Sequence, residues 1–400
     1  MTHSLKFIEA VKWPLKTENF ANPQNNLAWQ NKLVEAVAGF STFILKQAEL
    51  KQFPEIIALA YWFRPAHLKQ LQAEQVASDK VRPLVGKTAG KVFHIAPANV
   101  DTVFLYSALL SVLCGNQNIV RISERSGDIT RMLVELLKLY CQSPTGKLLA
   151  NYLAVAEYSA QLENVTAQLS RWCDLRVIWG GDQSIAAISQ IEPNTKQIEF
   201  PDRYSVALLS LNKDIKQTAQ QFLTDVLPFN QQACSSPKAI YWLNVPEEKQ
   251  QDFWSNIENL LPNSRNQLTM SNKVEQHILL QKLAVEHGIE LANHTGKSFA
   301  KIKSIGPLGQ CKVKKLTSEM LAAHSGNGLV LQTDIDDVAA ITSNEKLQSV
   351  IIDDQTLSET LYVGKRSVQI GQALAFDTVW DGQNLLECFI NTTSINSPNS

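Results

Sequence analysis

From Lys91 onward the chain alternates short apolar runs with longer helical segments, and that alternation admits few folds. Lys91-Val92-Phe93-His94-Ile95 has the length and content of a buried strand. A turn at Pro97-Ala98-Asn99 leads into an apolar helix, Thr102 to Cys114, which stops at Gly115. Asn118 to Ile122 reads as a strand, Ile129 to Tyr140 as a helix, Tyr152 to Ala156 as a strand and Leu162 to Leu169 as a helix. Leu175 to Trp179 is a further strand, after which Gly180-Gly181-Asp182 opens a helix. Strands separated by helices of this length imply parallel β-α-β units and a doubly wound sheet. Such a sheet takes its ligand beyond the carboxyl ends of its strands, so the turns at Asn99, Ser123 and Gly181 lie on the expected ligand edge.

The rest of the chain extends this α/β reading. Residues 27 to 77 are helical in pattern, with Trp29, Leu33, Val37, Phe40 and Ile44 at helical spacing and a break at Phe53-Pro54. After residue 210 the alternation continues with longer helices, Glu247 to Leu261 and Lys273 to Glu286, and predicts a second α/β domain. Val368 to Gly371 and Val379 to Gly382 are strand or turn elements, and the polar residues from Asn391 on are expected to fray. A chain of 400 residues exceeds one simple core, so two domains are expected.

Charge and hydropathy exclude several classes of protein. The formal net charge is −1, which predicts neither nucleic-acid binding nor electrostatic attachment to membranes. The start, Met1-Thr2-His3-Ser4-Leu5-Lys6, lacks the apolar core of a signal peptide. The apolar run from Thr102 to Cys114 is too short to span a bilayer. A cytoplasmic protein with reduced thiols is the simplest account.

The chemistry concentrates at Phe229-Asn230-Gln231-Gln232-Ala233-Cys234-Ser235-Ser236-Pro237, directly ahead of the apolar strand Ala239-Ile240-Tyr241-Trp242. Cysteine is commonly inert core filler, and Cys114, Cys141, Cys173 and Cys388 lie in or beside apolar or helical runs, with Cys311 in a basic strand-like segment. Cys234 differs. Small neighbours leave room for a substrate carbonyl, and amide side chains can donate to a developing oxyanion. None of the 6 cysteines forms a Cys-x-x-Cys pair and the 7 histidines are scattered, so neither metal nor disulfides are implied. Gly86-Lys87-Thr88 and Gly296-Lys297-Ser298 lack the earlier glycine of a phosphate loop, holding Val81 and Leu291 there. No Gly-x-Gly-x-x-Gly follows a predicted strand. Gly180-Gly181 can offer backbone N–H groups to a pyrophosphate or simply end a strand. Asn99 can polarise a carbonyl or cap a helix.

Together these pieces resemble a family. Val92 to Val100, Gly115-Asn116 through Val120-Arg121-Ile122-Ser123, Ile178-Trp179-Gly180-Gly181, Arg203-Tyr204-Ser205, Asn230 to Pro237 and Trp380-Asp381-Gly382 occur in family order. The chain resembles the long-chain fatty acyl-CoA reductases of bacterial luminescence systems, a branch of the aldehyde dehydrogenase superfamily. The resemblance runs from about residue 90 to 382; the first 80 residues match only in being helical.

The resemblance implies an aldehyde-dehydrogenase-like α/β fold. A helical region, 1–80, would pack on a doubly wound dinucleotide-binding domain, 81–210. A second α/β domain, 211–365, would carry the nucleophile, and 366–400 would return to the cofactor domain with a role in oligomer contact. Cys234 would accept the acyl group, with Asn99 and the Cys234 backbone N–H holding the oxyanion. Arg121, Ser123 and Glu124 would meet the adenosine ribose or its phosphate, and Gly180 and Gly181 the pyrophosphate. Glu199 falls near the carboxylate that activates water in oxidising relatives, although Phe200-Pro201-Asp202 departs from their glycine-rich continuation. The implied reaction is reduction of a fatty acyl thioester, acyl-CoA or one on a protein carrier or synthetase partner, to the long-chain aldehyde. NADPH is the expected reductant, with NADH as the alternative donor, in a homo-oligomer. An oxidising aldehyde dehydrogenase and a non-catalytic scaffold are the rival readings.

Overall fold

The computed structural model describes residues 11–17, 20, 28–81, 86–88, 90–96, 102–264, 268–287, 301–305, 308–359, 361 and 366–392. They fall into two compact units, 1–201 with 376–400 and 202–375.

The first unit is built on a six-stranded sheet. Its chain begins with β1 (Lys12–Leu15), followed by β2 (Gly86–Thr88), β3 (Lys91–Ile95), β4 (Gln117–Ile122), β5 (Leu153–Glu157), β6 (Leu175–Trp179) and β7 (Gln197–Phe200). The sheet order is β1-β5-β4-β3-β6-β7, and all pairs are parallel except β1 with β5. Each parallel strand is joined to the next by a helix, and the order reverses between β3 and β6. The alternation read from Lys91 onward therefore becomes a doubly wound sheet. Helix Val103–Leu113 is buried on every face, as its apolar composition requires. The N-terminal helices pack in the same unit. Asn31–Leu45 buries Leu33, Val37, Phe40 and Ile44 as one stripe, and Pro54 begins the helix Pro54–Trp62 at the expected break.

The second unit holds β8 (Tyr204–Leu209), β9 (Pro237–Leu243), β10 (Lys301–Ile305), β11 (Leu308–Lys312), β12 (Leu329–Ile335), β13 (Leu347–Ile352) and β14 (Arg366–Gln369). Their order is β10-β11-β12-β9-β8-β13-β14, with only β10 and β11 antiparallel. Two expected boundaries move. The second unit starts at Asp202 instead of 211, because β8 pairs with both β9 and β13. The chain returns to the first unit at Phe376 instead of 366, because β14 extends the second sheet along β13.

The returning segment forms a hairpin of β15 (Val379–Trp380) and β16 (Gln383–Asn384). Its loop is Asp381-Gly382, with φ of 49° and 77°, the left-handed pair that suits a two-residue hairpin turn. Trp380 meets Trp179 edge-on at 5.6 Å, and Trp179 stacks on Phe200 at 3.9 Å. The last strand, β17 (Ile390–Thr392), pairs with β2, so Asn391 and Thr392 are ordered where fraying was expected, and Gly86-Lys87-Thr88 is strand. The rest of the expected frayed end, 393–400, and Gly296-Lys297-Ser298 lie outside the described residues. No helix among the described residues is long and apolar enough to cross a membrane.

One polar group inside the first sheet sets an acid limit. His94 on β3 is 1% exposed, bonded through Nε2 to Asn118 Oδ1 at 2.9 Å and through Nδ1 to Ser107 Oγ at 3.0 Å. Loss of hydration lowers its pKa to about 4, against the hydrogen bond it donates to Asn118 Oδ1, which favours the charged form. The unfolded chain therefore binds this proton first as pH falls, and stability drains away from about pH 6.5 to about 4. The full span is roughly 3 kcal/mol. Denaturant unfolding across this range should show a steeper acid loss in the wild type than in His94→Gln. Equal slopes would remove His94 as the cause.

Candidate active site

The loop that presents Cys234 follows helix Ile215–Val226, whose first turn is capped by Asp214 accepting from Gln217 N at 3.1 Å. After Pro228 the backbone does something unusual: Phe229, Asn230 and Gln231 have φ of 53°, 53° and 61° in succession. None is glycine, and each such residue costs about 1–3 kcal/mol unless its surroundings enforce it. Here they do. Asn327 N donates to Asn230 O at 2.7 Å, Gly328 N to Gln231 Oε1 at 3.0 Å, and Gln231 Nε2 to Pro237 O at 2.8 Å. The approach is so close that a Cβ on Gly326 would lie 2.7 Å from Gln231 O.

Cys234 sits three residues beyond that turn, half-buried, at the amino end of β9. Ser205 Oγ on β8 donates to Cys234 O at 2.8 Å, and Ser236 N to Ala233 O at 3.0 Å. The thiol is thus carried on a fixed backbone at the centre of the second sheet. None of the six cysteines is in a disulfide. Burial pushes the thiol pKa up to about 12 at Cys141, Cys173 and Cys311, and also raises those of Cys114 and Cys388. Asn99 lies outside the described residues.

Two ionisable residues under the loop were missed in the sequence. Lys238, on β9, is 4% exposed and donates from Nζ to Gln231 O. His324 is 7% exposed; its Nδ1 accepts from Gly326 N at 3.1 Å, while its buried Nε2 has no hydrogen-bond partner among the described residues. The one available signal was a lysine inside an otherwise apolar strand, Pro237 to Leu243.

The first unit carries the other expected residues on its ligand edge. Gly180 and Gly181 follow β6 at the reversal of strand order, and Gly181 is the N-cap of helix Asp182–Gln190 with no side-chain cap. That geometry suits a pyrophosphate. At the end of β4, Arg121 lies over the Tyr158 ring at 5.3 Å and donates to Tyr158 O at 3.1 Å, leaving a buried Nε without a partner among the described residues. Ser123 Oγ accepts from Arg125 N at 3.2 Å, and Glu124 is exposed beside it. These residues fit a dinucleotide, with open backbone at the helix start and a guanidinium only partly satisfied by the protein.

Glu199 is differently placed. Its Oε1 accepts from Ser189 Oγ at 3.0 Å and from Gln197 Nε2, and Gln197 Oε1 in turn accepts from Arg176 Nε at 3.0 Å. This carboxylate terminates a hydrogen-bond chain within the first unit, an occupation that competes with activating water.

Two mainly parallel sheets connected in this way define an aldehyde dehydrogenase fold. Solved structures sharing it include an NAD-dependent aldehyde dehydrogenase from Sinorhizobium meliloti, with a TM-score of 0.60 at 11% identity over 94% of this chain and 85% of that one. An aldehyde dehydrogenase from Brucella melitensis biovar abortus 2308 gives 0.62 at 13% identity over 92% and 85%. The chain belongs to the acyl-CoA reductase (LuxC) family, whose model matches residues 25–299. Its relatives include the long-chain acyl-protein thioester reductase of Aliivibrio fischeri, 25% identical over 42% of this chain and 36% of that protein. That of Photorhabdus laumondii is 24% identical over 56% and 48%. The matched stretches thus span half or less of these relatives' length.

Proposed function

We propose that the protein reduces a fatty acyl thioester to the aldehyde through an acyl group carried on Cys234. The observation that carries this reading is the enforced left-handed turn at Phe229–Gln231, which fixes a half-buried thiol ahead of β9. Strain of this kind is retained where geometry has a use.

In this scheme the Cys234 thiolate attacks the thioester carbonyl and a new C–S bond forms. Asn99 and the Cys234 N–H take the oxyanion's charge, a contact worth about 3 kcal/mol per donor. The tetrahedral adduct collapses, the substrate's own thiolate leaves, and the acyl group remains on Cys234. A bound reduced nicotinamide supplies the hydride for the acyl carbon. The tetrahedral hemithioacetal anion then held on Cys234 collapses: its C–S bond breaks, and aldehyde and Cys234 thiolate are released. A thioester is easier to reduce than a carboxylate, which is the use of the sulfur link.

Gly180 and Gly181 are assigned to the pyrophosphate, and Arg121, Ser123 and Glu124 to the ribose. Arg121 and Arg125 favour the extra phosphate of NADPH, whereas Glu124 favours the free hydroxyl of NADH; we assign NADPH. The substrate is a long-chain acyl-CoA or an acyl group delivered on a synthetase partner, and the acyl-protein thioester reductases among the relatives support a protein-borne thioester. A homo-oligomer in the cytoplasm is the proposed setting, and light production is one use of the aldehyde. The oxidising alternative needs Glu199 as water-activating base, and the hydrogen bonds from Ser189 and Gln197 weigh against it.

The test is to mix the protein with acyl-CoA in the absence of nicotinamide. One acyl group, labile to hydroxylamine, should load, and NADPH should then discharge it as aldehyde. Production of reduced nicotinamide from aldehyde would favour the oxidising reading, and silence with both substrates the scaffold.

A further inference from the structure

We infer that Lys238 is a positioning residue for the thiol, a fixed positive charge in the floor of the reactive loop that holds the Cys234 sulfur as its thiolate. This rests on the reading of Cys234 as the nucleophile.

Lysine is almost never fully buried unless it is paired. Lys238 is 4% exposed on β9, with β8 on one side and β12 on the other. Among the described residues its single hydrogen bond goes to a neutral carbonyl, Gln231 O, and it makes no ion pair. A buried ammonium with only a neutral acceptor is strongly under-compensated.

Two ionisable groups act on it. Cys234 and Asp202 both favour its charged form, Cys234 more than Asp202. Asp202 is exposed, so water and salt screen it. His324 cannot help, because it is a base that stays neutral: burial first, and Lys238 second, lower its pKa to about 3. Of the two anions that act on it, the sulfur is the one carried on the loop whose Gln231 carbonyl Lys238 grips.

The balance agrees with this. Loss of hydration lowers the Lys238 pKa, yet only to about 8. Buried lysines can fall to about 5–6. The ammonium thus survives at neutral pH. Coupling between two titrating groups is reciprocal, so a thiolate that stabilises the ammonium is stabilised by it equally. The loop's geometry serves the same end. The ammonium that acts on Cys234 also grips the carbonyl of Gln231, the last left-handed residue before the thiol.

The experiment follows iodoacetamide alkylation of Cys234 between roughly pH 6 and 10, located by peptide mapping, in the wild type, Lys238→Met and Lys238→Arg. Methionine keeps the length without the charge. The midpoint of the pH–rate profile should rise by about one to three units in Lys238→Met, and Lys238→Arg should restore most of it. An unmoved midpoint in a folded Lys238→Met protein would overturn the inference and leave Lys238 a clamp on the Gln231 carbonyl. Cys234 would then keep its role, which the acyl-loading test addresses separately.

If Lys238→Met does not fold, the wild type provides a second measurement. With lysine labelled at 13Cε, the resonance titrating near pH 8 should move to lower pH when Cys234 is capped by the neutral acetamide group. The expected shift is about one unit or more. A resonance unaffected by capping would overturn the inference equally.

Discussion

Replacing Cys234 with serine will abolish aldehyde formation while leaving the fold in place. A hydroxyl is a far weaker nucleophile than a thiolate without an adjacent base, and an oxygen ester is harder to reduce than a thioester. The expected fall in turnover is on the order of 10^4-fold or more. The fold should persist because the contacts that hold the loop use the backbone of residue 234 and the side chains of its neighbours. Ser205 donates to the carbonyl, and Gln231 holds the turn through its own amide. Intact mass should show no hydroxylamine-labile acyl group on Cys234→Ser after exposure to acyl-CoA. Serine or alanine at Cys114, Cys141, Cys173, Cys311 or Cys388 should cost packing only. Acyl label on one of those five, or full reductase activity in Cys234→Ala, would defeat the mechanism even though the fold stands.

Asn99→Ala is expected to lower turnover by ~100-fold with little change in stability, if the side chain donates to the oxyanion. Asn99 follows β3 in the sequence, and the strand order reverses beside β3, a place where β-α turns of this fold class present groups to ligands. The competing role is helix N-cap. A cap would give the opposite pattern, with stability falling by ~1 kcal/mol and turnover barely moving. Steady-state kinetics and denaturant melts on the same protein separate the two roles, and the second pattern would take Asn99 out of the site.

Legibility in the sequence followed the range of the forces involved. The strand Lys91–Ile95 and the strand Leu175–Trp179 were readable to the residue, because apolar runs bounded by glycine or polar turns carry their own signal. So was the loop between helix Ile215–Val226 and β9, from local composition. The edge strand Lys12–Leu15 was not readable, since it contains a proline and exists only by pairing with Leu153–Glu157. The domain boundary was placed too late because Tyr204–Leu209 looks the same whichever sheet it joins. Nothing local distinguishes Phe229, Asn230 and Gln231 as left-handed, because the constraint comes from Asn327 and Gly328. Lys238 and His324 were silent for a similar reason. A buried ionisable group under a loop is a property of the folded chain, and a lone lysine or histidine in a sequence has no neighbour to declare it. The hydrogen bonds of Glu199 to Ser189 and Gln197 were silent too, since they depend on how helix Asp182–Gln190 meets β7.

The contact between Gly326 and the Gln231 carbonyl carries a consequence for how this chain can vary. A side chain at 326 is barred while the carbonyl of Gln231 stays where it is, and that carbonyl stays only while the turn remains left-handed. Neither segment can drift alone. Descendants of this sequence should therefore keep or exchange the two stretches together, as one heritable unit written in two distant places.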